Sequence, residues 1–94
     1  MTPAEELLAA IKEHATADVD FKFLPRWPKL GVSKGNVTVN VIWHNRIGSW
    51  CEDVFGYSPD SGIHPHASAS SAVYSAFLRA RAKHPPAADS AEES

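Results

Sequence analysis

The sequence predicts a small α+β domain in which a helix, a three-stranded antiparallel sheet and a second helix follow one another in the order α-β-β-β-α. Three observations predict it. Apolar residues recur at helical spacing near both ends of the chain. The stretch between alternates apolar and polar side chains, which is the period of a strand. The 94 residues, 44% of them apolar, give room for one core and no second one.

The first element spans residues 1–16. Thr2 caps it, Pro3 occupies the first helical position and Glu5 completes a Thr-x-x-Glu capping box. Leu7, Leu8, Ile11 and Ala15 share one face, while Glu5 and Glu6 sit near the positive end of the helix dipole. Residues 19–24 alternate Val19, Phe21 and Phe23 against Asp20, Lys22 and Leu24, as a half-buried strand does. Pro25-Arg26-Trp27-Pro28 cannot continue a central strand, because each proline lacks a ladder donor. Residues 29–36, with Gly31 and Gly35, read as a loop. Val37, Val39, Val41 and Trp43 then face one way and Thr38, Asn40, Ile42 and His44 the other. Asn45-Arg46-Ile47-Gly48 is a turn, and residues 49–57 return as the antiparallel partner strand. Residues 58–62 form another turn, from which residues 63–66 lead out. The second helix covers residues 68–83, with Val73, Phe77 and Ala80 as its apolar row, and Pro85-Pro86 ends it. The two helices should bury Leu7, Leu8, Ile11, Val73 and Phe77 against Phe21, Val39 and Val41, with Trp43 also in the core. Residues 1–85 form the domain, and residues 86–94 are expected to be a disordered acidic tail.

Composition narrows the function. No window approaches the roughly 18–20 apolar residues of a membrane span, and the N-terminus has neither the basic nor the apolar region of a secretory signal. The lone cysteine, Cys51, excludes an internal disulfide and fits a reducing compartment, so a cytoplasmic location is expected. The net charge of −2 is a cancellation: residues 1–20 carry −4, residues 21–85 carry +5 and the tail carries −3.

Metal and catalytic chemistry find little support. His64 and His66 form an His-x-His pair, the basis of a second alternative function as a zinc-binding domain, but His44 and Cys51 would have to complete the tetrahedral site and Cys51 lacks a Cys-x-x-Cys partner. No metal and no cofactor are expected. Cys51 and His44 sit in or beside the strands of one hairpin, a pairing that could in principle activate a thiolate, but no cleft is expected beside them. Gly48-Ser49-Trp50-Cys51 lacks the Gly-x-Ser-x-Gly of a nucleophile elbow. Glu52 and Asp53 point to opposite faces of one strand, and residues 31–35 lack the spacing of a phosphate loop. The chain is expected not to be an enzyme.

The strongest feature is the absence of carboxylates across residues 21–51. Lys22, Arg26, Lys29, Lys34 and Arg46 are interleaved there with Trp27, Trp43, His44 and Trp50. Cations beside flat aromatics suit a protein hot spot, where Trp, Tyr and Arg dominate, and equally a single nucleic-acid strand. Five cations support only modest, salt-sensitive phosphate binding, and the pI near 6.2 is far from the value above about 9 usual in nucleic-acid domains. A protein partner is therefore favoured, with Arg26, Trp27, Lys29, Lys34, Arg46 and Trp50 as its contacts.

Two resemblances bear on this. The element order over residues 3–84 resembles that of the double-stranded-RNA-binding domain, which also runs helix, three strands, helix. It implies a similar shape but not RNA binding; the alternative function, a nucleic-acid-binding module, rests on the basic aromatic stretch 21–51. The family's lysine cluster at the start of its last helix is missing here, where the chain reads Ala67-Ser68-Ala69-Ser70-Ser71. In size and poverty of motif the chain also looks like phage and mobile-element accessory proteins, anti-CRISPR inhibitors among them. That likeness implies a small protein that docks on a host complex and inhibits it.

Overall fold

The computed structural model describes residues 2–35, 37–56 and 61–81. The expected acidic tail and the Pro85-Pro86 stop lie outside these residues.

Helix α1 (Pro3–His14) begins as its capping signals require. The Thr2 hydroxyl accepts from the Glu5 amide at 3.2 Å, and the Thr2 amide donates to the Glu5 carboxylate at 2.8 Å. Five strands follow: β1 (Asp20–Leu24), β2 (Lys29–Lys34), β3 (Val37–His44), β4 (Ser49–Gly56) and β5 (Gly62–His66). They form one antiparallel sheet in chain order, and helix α2 (Ala69–Arg81) closes the domain.

The α+β class and both helices stand, but the sheet has five strands rather than three, so the α-β-β-β-α order is overturned. The first added strand is β2, expected as a loop. Its Leu30 and Val32 alternate with Lys29, Gly31 and Ser33, a period-2 pattern that the glycine masks. Gly31 is not a break. The Asn40 side chain on β3 lies against it, and a methyl there would meet Asn40 Oδ1 at 3.3 Å. The second is β5, expected as a lead-out segment. Its Pro65 pairs in register with Cys51 on β4, and β5 is an edge strand, where a missing donor is tolerated. With five strands between the helices, the element order that carried the RNA-binding-domain resemblance is gone.

Register divides the sheet into two faces. Phe23, Leu30, Val41, Glu52 and His64 form one cross-sheet row toward the helices, and Phe21, Val32, Val39 and Val54 form the next. Helix α2 packs across β2, β3 and β4, while α1 packs chiefly on α2. Alanines 69, 72, 76 and 80 are all buried on α2, letting the layers approach closely around Leu7, Ile11, Val73 and Phe77. Two expected core residues differ. Leu8 is exposed on the outer side of α1, and Phe21, on edge strand β1, keeps one side open while its ring meets Phe77 edge-on at 5.8 Å. Among the described residues no element covers the opposite face of the sheet. Every described residue on it except Cys51 is exposed or half-buried.

Candidate docking end and buried carboxylate cluster

In an antiparallel meander every second turn falls at the same end. The β1–β2 turn (Pro25-Arg26-Trp27-Pro28) and the β3–β4 turn (Asn45-Arg46-Ile47-Gly48) therefore share one end of the sheet. Their centre lines are two strand spacings apart, about 10 Å. Proline on both sides of Arg26-Trp27 restricts that turn before any partner arrives, and Gly48, at φ 73°, supplies the left-handed residue that closes the other. Arg26, Trp27, Arg46 and Ile47 all point into solvent, with Trp27 at 71% exposure. Among the described residues no carboxylate pairs with Arg26, Lys29 or Arg46. Lys29 adjoins this end on the uncovered face of the sheet.

Two of the six expected contacts lie elsewhere. Trp50 is 2% exposed and belongs to the core, whereas Trp43, expected inside, is 39% exposed. The register explains the exchange. Trp50 on β4 has Trp43 on one side and His66 on the other, but β2 begins opposite Ile42, so Trp43 has no paired strand residue on its outer side. The two indoles meet edge-on at 5.6 Å. Lys34 sits at the far end of β2, 3.3 Å from Asp18. The structure thus gathers Arg26, Trp27, Lys29 and Arg46, adds Ile47, and removes Trp50 and Lys34.

The four histidine and cysteine candidates for a metal do not meet. His64 and His66 are on the helix-covered face and His44 and Cys51 on the open one, so the sheet itself separates them two by two. No group of three potential ligands occurs among the described residues.

His66 has different company. Glu52 is fully buried beneath α2, and three side chains from two other elements converge on it. His66 Nε2 donates to Oε1 at 2.6 Å, the Ser75 hydroxyl donates to the same oxygen at 2.6 Å, and Arg79 Nε donates to Oε2 at 3.0 Å. The second histidine nitrogen, Nδ1, is 3.0 Å from the Ser71 hydroxyl. A carboxylate taken from water is tolerated only when its lone pairs are filled, and here a guanidinium, an imidazole and a hydroxyl fill them. Sequence reasoning placed Glu52 on a strand and saw nothing further. The available signal was a glutamate in an otherwise apolar row, facing a helix that carries serine and arginine four residues apart. Among the described residues no helix is long and apolar enough to cross a membrane. Comparison of the chain with protein-family models, curated proteins and solved structures finds no match.

Proposed function

We propose that this chain is a protein-docking module that presents its paired hairpin turns to an acidic surface on a partner complex. The observation that carries this reading is the exposed Arg26-Trp27 turn beside Arg46-Ile47, preshaped by two prolines and exposing an indole at 71%. A large aromatic flanked by arginines is the residue set that dominates interface energetics, and a preformed turn loses little entropy on docking. In this reading the protein works in the cytoplasm, without catalysis in the docking itself, and inhibits the complex it occupies, as the accessory proteins of phages and mobile elements do.

The nucleic-acid alternative loses ground. With Trp50 in the core and Lys34 beside Asp18, the docking end keeps three cations, Arg26, Lys29 and Arg46. Three phosphate contacts give a salt slope of only about −2 to −3.

The test is co-purification of tagged protein from a host lysate, with and without nuclease, beside Trp27→Ala and Arg26→Glu/Arg46→Glu. A partner that survives nuclease and is lost from both variants is the expected result. Trp27→Ala alone should weaken binding about 30-fold or more, the effect of a hot-spot residue worth ~2 kcal/mol. Capture that disappears with nuclease, or that ignores Trp27→Ala, overturns the reading.

A further inference from the structure

We propose that Ser71, His66 and Glu52 form a nucleophile–base–orienter relay that reacts with simple carboxylic esters. The inference goes beyond the docking reading and does not rest on it.

The geometry supplies the three links such a relay needs. Glu52 is an acceptor-only carboxylate, so His66 carries its proton on Nε2, where the 2.6 Å bond lies. In the neutral imidazole a proton on Nε2 leaves a lone pair on Nδ1, and the Ser71 hydroxyl stands 3.0 Å from that nitrogen. Nucleophile, base and orienting carboxylate are thus joined in sequence, and such relays are identified by roles and geometry rather than chain order. Burial is graded in the sense the chemistry needs: the Glu52 side chain is 0% exposed, that of His66 17%, and Ser71 lies open to solvent. Arg79 on Oε2 and Ser75 on Oε1 are positioning residues, fixing the carboxylate that in turn fixes the ring.

Nearby groups show that the arrangement is selective. Ser70, one residue earlier in α2, also meets a histidine, with 2.8 Å between its hydroxyl and His14 Nε2. There the neighbouring carboxylate, Glu13, lies 3.5 Å from the same ring nitrogen, so it cannot orient the ring from its far side. Ser70 is also half-buried and lies 3.3 Å from Glu13, to which its hydroxyl donates, so it lacks both the oriented base and the open hydroxyl of Ser71 and serves as the internal control.

In the reaction, the Ser71 Oγ–H bond breaks as Oγ bonds to the ester carbonyl carbon, and the proton moves to His66 Nδ1. The resulting imidazolium is stabilised by Glu52. Collapse breaks the bond to the alcohol oxygen, which leaves with the Nδ1 proton. Water then adds to the acyl-serine by the same path, releasing the carboxylic acid and restoring Ser71. One ester and one water give one acid and one alcohol. Ser71 lies at the surface, so unhindered, activated esters are the substrate class.

The experiment uses the full chain with a fluorophosphonate probe and with p-nitrophenyl acetate. Wild type should take up one probe, mapped by mass spectrometry to Ser71. Ser71→Ala should abolish labelling, Ser70→Ala should leave it unchanged, and His66→Gln should slow it about a hundredfold. Turnover of p-nitrophenyl acetate should follow the same ranking. His66→Gln is checked for its fold by circular dichroism. Should it fail to fold, the wild type, Ser71→Ala and Ser70→Ala still decide. Failure of the wild type to label, labelling that survives Ser71→Ala, or labelling that Ser70→Ala reduces equally overturns the relay. The docking reading is untouched by that result, because its readout is partner capture through Trp27.

Discussion

The docking end and the Glu52 cluster use the same side-chain chemistry to opposite purpose. At the hairpin turns, Arg26, Arg46 and Trp27 lie exposed, and no carboxylate among the described residues pairs with either arginine. Beneath α2, Arg79 and His66 exist in their present positions because Glu52 is fully buried and must be satisfied. Charge in water costs folding little and is free for a partner. Charge removed from water is committed to its neighbours, and losing one of them strands the rest. An arginine in this chain therefore cannot be read for function until its burial is known.

That contrast can be broken most forcefully at Arg79. Arg79→Met leaves the buried carboxylate without its cation and should lower unfolding free energy by about 3–5 kcal/mol in a urea titration. The sharper version adds Glu52→Met. If the cost lies in the stranded charge rather than in the lost pair, the double variant should recover most of that stability. A double variant as unstable as Arg79→Met would refute the explanation.

The tryptophan pair comes next. Trp50→Ala removes a buried indole and should cost about 3–5 kcal/mol, while Trp43→Ala, at the sheet's open margin, should cost clearly less. Equal losses would mean that the register argument for their burial is wrong. Trp27→Ala belongs at the other pole, with stability within about 0.5 kcal/mol of wild type and its whole effect on binding.

The smallest effect is expected at Asp18 and Lys34. The Thr16 hydroxyl first, and then the Lys34 ammonium, hold the Asp18 carboxyl below its ordinary range near 3.8. A carboxyl depressed on folding adds stability above its unfolded value, and that stability is lost as pH falls through the folded one. Lys34→Ala should therefore differ slightly from wild type near neutral pH and converge with it once the pH has fallen below the depressed folded-state range of Asp18. The pair is exposed, so the difference should also fade in added salt. A gap that widens in acid would contradict the assignment.

The helices were legible in the sequence because their signals are local. Thr2, Pro3 and Glu5 begin α1 through bonds spanning three residues, and the heptad-like spacing of Val73, Phe77 and Ala80 needs only the helical pitch. The hairpin of β3 and β4 was legible for the same reason. Strands β2 and β5 were not. Gly31 and Pro65 are breakers when read alone, and each is accommodated by a neighbour from another strand: Asn40 beside the glycine, and an edge position for the proline. The charge segregation was legible, and it led to Arg26, Trp27, Lys29 and Arg46. It could not separate Trp43 from Trp50, since both alternate correctly and only the offset start of β2 exposes one of them.

By itself, then, the sequence determined the two helices, the central hairpin, the single core and a basic aromatic stretch. Each follows from periodicity or composition within a short window. Only the tertiary structure decided how many strands the sheet has, which tryptophan is buried, and that Glu52, His66, Ser71, Ser75 and Arg79 meet. Those five residues come from β4, β5 and α2, separated by up to 27 positions. The four-residue spacing of Ser75 and Arg79 places those two on one helix face, but nothing in the sequence joins them to Glu52 and His66. The cluster forms because antiparallel pairing and the lie of α2 bring these residues to one place, and a buried carboxylate persists only when such partners surround it.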